Sequence, residues 1–273
     1  MRISRVGIIS NPQLDPEKIK TVVECLDSGN VSIYFDPHTA EKINQKPTDA
    51  CNMDVDAAVL VGGDGTFLWA ASKLKPDTLL LPINAGDVGY LSEITLDKAC
   101  DGIKKMLEGG FHIEKRMRLS VGGRYEILNE AIISTTLPAT LLEFNLILDG
   151  SETINLKGDG ILVSTPTGST AYSFSLGNPV IHPNTQAYIV SPISPLRRDQ
   201  AAIIVPSKTV LTVELVAKEG DANLILDGQC SEKLPAATSL EFRESENTAD
   251  FVRFNENFSH HYANIWRRRG WNG

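Results

Sequence analysis

A short apolar strand that runs directly into a glycine-rich turn is the feature that most constrains this fold. The run 56–61 leads into Gly62-Gly63-Asp64-Gly65-Thr66, and residues 67–74 then carry apolar side chains at helical spacing. Glycine has no Cβ, so the backbone can bend sharply there and approach a ligand closely. The free amides at the start of the following helix attract anions. The junction therefore predicts a phosphate-binding loop, with contacts from Gly62, Gly63 and Thr66.

Asp64 is the carboxylate within this loop, and a carboxylate repels phosphate. It fits there if it holds a metal ion or accepts the proton of an attacking hydroxyl, and both roles belong to phosphoryl transfer. The alternative is a tight turn in which Asp64 only caps the next helix. Three glycines after a buried strand favour the phosphate-binding interpretation.

Composition narrows the possible partners. With 26 basic and 34 acidic residues the formal net charge is −8, which opposes nonspecific binding to nucleic acid or to an anionic membrane. The basic run 267–269 follows a predicted helix at 257–266, where cations suit the helix end. No Cys-x-x-Cys pair exists, no histidine metal site is expected, and no apolar stretch reaches membrane-spanning length. We therefore expect a soluble cytoplasmic protein without a disulfide framework, although it contains Cys25, Cys51, Cys100 and Cys230.

The order of patterns along the chain predicts two domains. Up to residue 114, short apolar runs alternate with helical patterns, which indicates an α/β domain with a parallel sheet. Residues 115–254 contain alternating strands and turns and predict an all-β domain. Residues 255–273 are expected to form a C-terminal helix that packs back on the body.

A second dense cluster begins at Gly158-Asp159-Gly160. The hydrophobic stretch 161–163 follows it and gives way to the hydroxyl-rich segment 164–173. Hydroxyls and loop amides can bind sugar or phosphate oxygens, and the ring of Tyr172 can pack beneath a base or a nicotinamide. The alternative is a Ser/Thr-rich turn with Tyr172 in the β core.

The pair Asn129-Glu130 interrupts the apolar run 127–133, where alternation should bury one of the two. A carboxylate beside a carboxamide suits the vicinal hydroxyls of a ribose, whereas the alternative is an ordinary edge position. The chain contains no Gly-Lys dipeptide, no Gly-x-Gly-x-x-Gly and no Gly-x-Ser-x-Gly. These absences exclude a Walker loop, a Rossmann cofactor fingerprint and a hydrolase elbow, so a nicotinamide dinucleotide would be a substrate.

In their order along the chain, these segments resemble the motifs of the NAD kinases, and the resemblance extends over nearly the whole chain. The segment 84–91 looks like the family's Asn-x-Gly-x-x-Gly-Phe-Leu loop, and Asp227-Gly228-Gln229 looks like its late Asp-Gly-Gln turn. The Gly-Gly-Asp-Gly turn alone is shared with diacylglycerol and sphingosine kinases and, in similar form, with phosphofructokinases. The long hydroxyl motif is the specific one.

The resemblance implies a Rossmann-like sheet in the first domain, a β-sandwich in the second, and phosphorylation of NAD to NADP by ATP or polyphosphate. Mg²⁺ or another divalent cation would accompany the donor, and a homodimer or homotetramer would share active sites. Asp64 would be the catalytic base at the adenosine 2′-hydroxyl. Asn129 and Glu130 would hold ribose and base, with Asp159 reaching across a subunit contact. The other residues implied to bind NAD are Gly65, Tyr90 (at the phenylalanine position of its motif), Lys157, Thr170, Ala171, Tyr172, Ser173, Phe174, Ser175 and Gln229.

Two residues depart from the family pattern. Lys157 stands where arginine is common, which keeps the positive charge but removes bidentate phosphate recognition. Asn178 replaces a frequent glycine, and asparagine tolerates left-handed backbone better than most residues. Two rivals remain at this point: a lipid or small-polyol kinase with the same glycine loop, and a nucleotide sensor without catalysis.

Overall fold

The structure is a computed structural model, and it describes residues 2–27, 30–86, 89–137, 140–197, 199–216 and 222–255. Of these, the residues up to Lys115 and from Ala249 onward form one compact unit, and Arg116–Thr248 form a second. The predicted second domain, 115–254, is longer than this second unit by Lys115 at its start and by residues 249–254 at its end. The predicted terminal helix lies outside the described residues from 256 onward, as does the basic run 267–269.

The first unit alternates strands with helices, as its sequence predicts. Its elements are β1 (Arg5–Ser10), α1 (Pro16–Asp27), β2 (Ser32–Phe35), α2 (Pro37–Ile43), β3 (Ala57–Gly62), α3 (Asp64–Lys73), β4 (Leu79–Asn84), β5 (Ile94–Thr95) and α4 (Ala99–Leu107). The strands β2, β1, β3 and β4 lie side by side in that order, and all their pairings are parallel. β3 and β4 are apolar along their length and fully buried, as expected for a parallel sheet. The predicted α/β domain is confirmed.

The strand register places two loops next to each other. Gly62 at the end of β3 pairs with Asn84 at the end of β4, and the Ala85 amide donates to the Gly62 carbonyl at an ordinary distance of 3.1 Å. Because parallel strands end at the same edge of a sheet, the glycine loop and the segment that follows Asn84 emerge side by side. This edge is where ligands bind in open α/β sheets.

The first unit contains a disulfide between Cys25 on α1 and Cys100 on α4, with a Cα–Cα distance of 5.0 Å. The prediction of a chain without disulfides is therefore wrong for this pair. The two cysteines are separated by 75 positions in the sequence, and only the packing of α1 on α4 makes them neighbours. Cys51 and Cys230 are free and exposed.

The second unit is rich in antiparallel strands, and the predicted strand-rich domain is confirmed. Its elements, including two strands that begin or end in the first unit, are β6 (His112–Val121), β7 (Tyr125–Ile127), β8 (Glu130–Thr135), β9 (Leu142–Leu148), β10 (Glu152–Ser164), α5 (Tyr172–Ser175), β11 (Ala187–Pro195), β12 (Ile203–Pro206), β13 (Leu211–Leu215), β14 (Ala222–Leu226), β15 (Cys230–Leu234) and β16 (Ser239–Arg253). Alternate residues of these strands face a core that includes Phe144, Tyr188 and Phe242. No helix in the described part of the chain is both long and apolar enough to span a membrane.

Strand β10 organises the second unit. Its first half pairs with β9 and its second half with β8, while β11 pairs along its other edge from Gly158 to Ser164. β8 also pairs with β14, so Leu226 lies opposite Ala131. Three loops therefore meet at one end of β8: the turn that precedes it, the loop after β10 and the turn after β14. The last residues of β16 pair in parallel with β4, at Asp250 and Phe251, and this pairing places them in the first unit.

Candidate active site

The glycine loop and Asp64 stand at the junction of β3 and α3. Helix α3 begins at Asp64, Gly63 is its N-cap, and no side chain bonds to the amides of that cap. The alternative interpretation of the sequence, in which Asp64 only caps this helix, is therefore wrong. The first amides of an α-helix lack the regular partner four residues earlier in the helix. The Thr66 amide bonds the Gly63 carbonyl (2.9 Å), so the amides of Asp64 and Gly65 are the ones suited to an anion.

The Asp64 carboxylate points at the neighbouring loop instead. Its Oδ2 accepts a hydrogen bond from the Tyr90 amide (2.8 Å), and its Oδ1 accepts one from the Leu91 amide (3.1 Å). Gly89 makes this approach possible, because a Cβ at that position would overlap Asp64 Oδ1. The carboxylate is partly exposed and is held in one orientation by two backbone donors.

A buried arginine fastens this loop to the body of the first unit. Arg253, at the end of β16, donates from Nη1 to the Leu91 carbonyl (3.0 Å) and lies 3.3 Å from Glu93 Oε2. Its Nε donates to Glu114 Oε2 (2.7 Å). Glu93 also accepts the Phe254 amide (2.8 Å). Arg253 thus holds the loop whose amides hold Asp64, a role that the sequence analysis missed.

In the second unit, Asn129 ends the turn between β7 and β8, and Glu130 is the first residue of β8. Glu130 is buried, at 6 % exposure, and Asn129 is partly exposed, so alternation buries one of the pair as predicted. The Glu130 Oε2 atom has no hydrogen-bond partner among the described residues. Burial, and then the charge of Asp227, raises the pKa of Glu130 to about 8.

The hydroxyl-rich segment lies against the same turn. The Thr165 amide donates to the Asn129 carbonyl (2.9 Å), and the Thr165 hydroxyl donates to the Leu128 carbonyl (2.5 Å). Gly168 fits close to the turn because a Cβ there would overlap the Asn129 carbonyl oxygen. Two of the predicted motifs are thereby in direct contact, although 35 or more positions separate them in the sequence.

The remaining predicted residues differ in exposure. Residues 168–170 form a 3₁₀ turn and residues 172–175 the short helix α5, so Tyr172, at 40 % exposure, does not lie in the β core. The Ser173 side chain is buried, and its hydroxyl accepts a hydrogen bond from the side-chain Nδ2 of Asn178 (3.2 Å). Ser173 is therefore oriented toward the protein interior. Gly65, Ser175 and Gln229 are exposed, whereas Tyr90, Lys157, Asp159, Thr170, Ala171 and Phe174 are partly exposed.

Asn178 does not adopt the left-handed backbone expected of a glycine replacement. Gly177 has the positive φ of this turn, at 85°. The Asn178 amide group instead bridges Ser173 and Ser191, whose hydroxyl donates to Asn178 Oδ1 (3.3 Å). The asparagine therefore links α5 to β11.

Comparisons with known proteins identify the family of this chain. A model of the ATP-NAD kinase N-terminal domain matches residues 6–111, and one of the ATP-NAD kinase C-terminal domain matches residues 128–254. The NAD kinase of Methanosphaera stadtmanae is 34 % identical over 264 residues, which are 93 % of this chain and 96 % of that protein. The NAD kinase of Methanothermobacter thermautotrophicus is also 34 % identical, over 93 % of each chain.

Solved structures have the same fold. An NAD kinase from Archaeoglobus fulgidus in complex with ATP superposes with a TM-score of 0.80 at 26 % identity, over 98 % of this chain and all of that one. Yeast NADH kinase complexed with NADH has a TM-score of 0.90 at 20 % identity, over 100 % of this chain and 89 % of that one, and shows the fold alone. Both domain models match, and the relatives align along nearly their whole length. The chain therefore belongs to the ATP-NAD kinase family.

Proposed function

We propose that the protein transfers a phosphoryl group from ATP or polyphosphate to the adenosine 2′-hydroxyl of NAD, giving NADP. The observation that supports this most directly is the Asp64 carboxylate, which two loop amides orient beside a glycine-rich helix start. Membership of the ATP-NAD kinase family supports the choice of acceptor and of a nucleotide donor. The use of polyphosphate as a donor is proposed from the resemblance of the sequence motifs alone.

Asp64 acts in this proposal as the general base. Its fixed carboxylate takes the proton of the 2′-hydroxyl as the oxygen attacks the terminal phosphorus of the donor. The bond from that phosphorus to the donor's bridging oxygen breaks, and the shortened donor leaves. Gly62, Gly63, Thr66 and the first amides of α3 bind the donor phosphates, because phosphoryl transfer depends chiefly on positioning and charge stabilisation.

The second unit supplies most of the residues proposed to bind NAD. Asn129 and Glu130 would bond the ribose and base, residues 170–175 would line the dinucleotide, and Gln229 would close the pocket. Gly65 and Tyr90, which lie in the first unit, are also proposed to bind NAD. Lys157 and Asp159 alternate with buried neighbours on β10, so both side chains lie on one face of the strand. Lys157 would bind a phosphate, and Asp159 would serve a neighbouring subunit in a homodimer or homotetramer. The proposal also places the protein in the cytoplasm, without nucleic-acid or membrane partners.

The loop chemistry fits a divalent cation that arrives with the donor. Each Asp64 oxygen accepts one amide and keeps further lone pairs. Among the described residues, no cluster of three or more His, Cys, Asp or Glu side chains is arranged for a metal ion. Mg²⁺ is commonly held by one or two carboxylates together with substrate phosphates and water, so Asp64 would be the carboxylate that the loop offers. The cation would neutralise phosphate charge.

An acceptor assay tests the proposal against its rivals. The purified protein is incubated with Mg²⁺ and ATP or polyphosphate, and with NAD, NADH, diacylglycerol or fructose 6-phosphate as acceptor. We expect NADP from NAD. Turnover with diacylglycerol or fructose 6-phosphate alone would favour a lipid or polyol kinase. Nucleotide binding without turnover of any acceptor would indicate a sensor.

A further inference from the structure

Asp227, in the turn after β14, makes an unusual set of contacts with the Asn129-Glu130 turn. Its carboxylate accepts hydrogen bonds from three consecutive backbone amides: Leu128 to Oδ2 (2.8 Å), and Asn129 and Glu130 to Oδ1 (2.7 and 3.0 Å). Asp227 is only 7 % exposed, so water screens these bonds little. Bonds from amides to an ionised acceptor are among the stronger hydrogen bonds in proteins.

The backbone of Asp227 is also fixed to this turn. Its amide donates to the Glu130 carbonyl (2.9 Å), and the adjacent Leu226 pairs with Ala131 in the sheet. Asp227 itself has a φ of 50°, in the left-handed region that aspartate tolerates better than most residues. The side chain therefore reaches the three amides from a backbone that is already aligned with β8.

The carbonyl groups of the same turn are held from the opposite side. Thr165 donates its hydroxyl to the Leu128 carbonyl and its amide to the Asn129 carbonyl. Donors and acceptors of three consecutive residues thus have fixed partners, which come from the turn after β14 and from the loop after β10. The backbone of the turn is therefore held at each of the three residues, and its polar side chains are those of Asn129 and Glu130.

We propose that Asp227 is a positioning residue for NAD: its carboxylate fixes the turn that presents Asn129 and Glu130 to the dinucleotide. The inference rests on the proposed function. Three amides occupy the carboxylate, so Asp227 acts through the turn and not by contact with the substrate. Desolvation raises the pKa of Asp227 to about 6, against the opposing effect of the three amides.

Asp227→Asn is the sharpest test because it changes hydrogen bonding at nearly constant volume. In either orientation of the asparagine amide, its NH₂ group faces at least one of the three backbone donors. We expect the KM for NAD to rise about tenfold and the calorimetric Kd for NAD to rise with it, as for a loss of ground-state binding. We expect kcat and the KM for the donor to change less than about threefold.

Asp149→Asn is the matched control. Asp149 also has left-handed backbone, at a φ of 48°, and its Oδ1 also accepts a backbone amide, from Val210 (2.8 Å), but it lies in the exposed turn between β9 and β10. We expect its KM for NAD to equal the wild-type value. An unchanged KM for NAD in a folded Asp227→Asn variant, or an equal rise in Asp149→Asn, would overturn the inference.

A second variant decides the question if Asp227→Asn does not fold. Thr165→Val keeps the side-chain shape but removes the hydroxyl, which donates to the Leu128 carbonyl and accepts the Gly168 amide (3.2 Å). Because it loosens the same turn from the other side, it should also raise the KM for NAD with little change in kcat. A normal KM for NAD in this variant would then overturn the inference. If the wild-type protein phosphorylates NAD and the variants have the wild-type KM for NAD, only the positioning role is refuted. If the wild-type protein does not bind NAD, the proposed function is refuted as well.

Discussion

Each unit of the molecule contains an aspartate whose carboxylate accepts hydrogen bonds from the backbone of a loop, but the two stand in opposite relations to that loop. In the first unit, the amides of Tyr90 and Leu91 hold Asp64. In the second unit, Asp227 holds the amides of residues 128–130. The same bond serves to orient a carboxylate in one unit and to orient a loop in the other.

Exposure follows from this difference. A carboxylate that accepts a substrate proton must reach the substrate, and Asp64 is partly exposed. A carboxylate that only fixes a turn can be buried, and Asp227 is. The number of amide partners also differs, with two at Asp64 and three at Asp227, so Asp64 keeps more lone pairs for a ligand. The comparison predicts different kinetic signatures for mutations in the two units.

The largest effect is expected from Asp64→Asn, which removes the basicity of the carboxylate while keeping its size. kcat should fall by about 10²–10⁴, the usual contribution of a general base, and the Kd for NAD should remain near the wild-type value. Steady-state kinetics at saturating donor and Mg²⁺, together with calorimetry, measure both quantities. This is the reverse of the pattern expected for Asp227→Asn.

Two results would break this contrast. Near-normal turnover of the Asp64→Asn variant would remove the catalytic role from Asp64. Loss of NAD binding or of structure would mean that Asp64, like Asp227, serves mainly to hold a loop. In that case the two units would use their carboxylates in the same way.

Gly89→Ala tests whether the orientation of Asp64 matters. A Cβ at residue 89 would overlap Asp64 Oδ1, so the carboxylate or the loop must move. Misplacement of a catalytic group by about 1 Å can cost about 10²-fold in rate, and we expect kcat to fall by about 10–100-fold. In the control, Gly110→Ala, the new Cβ would meet only the Lys105 carbonyl oxygen at 3.5 Å, an ordinary contact. Equal kcat values for the two variants would contradict the expected role of the loop.

The first unit also shows which parts of a site can be predicted from sequence. The glycine loop was predictable because strand, turn and helix follow one another within residues 57–73. The anchor of the neighbouring loop was not, because Arg253 bonds Glu114 and Glu93 across 139 and 160 positions. No local pattern marks Arg253 as different from any other arginine at the end of a strand.

In the second unit, too, local sequence patterns predicted the burial of a residue but not its partner. The alternation of apolar residues around Asn129-Glu130 predicted that one of the pair is buried, and Glu130 is. The partner of that turn, Asp227, is 97 to 99 positions away, and the sequence showed it only as part of a motif without a role. Periodicity reports the face on which a residue lies, whereas the residue that it meets depends on strand pairing.

The disulfide gives the two units different sensitivity to reduction. The second unit contains one cysteine, Cys230, and so cannot contain an internal disulfide, whereas Cys25–Cys100 joins two helices of the first. Cys25→Ser should lower the free energy of unfolding of the first unit by about 2–4 kcal/mol. Hydrogen exchange of peptides from each unit measures this, with Cys51→Ser as the control because Cys51 is free and exposed. Equal effects of the two substitutions would show that the disulfide does not stabilise the first unit.

The smallest expected effect is a pH dependence confined to the second unit. Burial raises the pKa of Glu130 from 4.5 to about 8. Between pH 4.5 and 8, the folded protein therefore keeps a proton on Glu130 that the unfolded chain has lost. The free energy of unfolding should therefore fall as pH rises from 6 to 8, with a slope that approaches about 1.4 kcal/mol per pH unit. Glu130→Gln cannot titrate, and its curve should be flatter over this interval. Urea titrations of both proteins at pH 6, 7 and 8 make the comparison, and parallel curves would mean that Glu130 is already ionised in the folded protein, so that the buried turn tolerates two carboxylates.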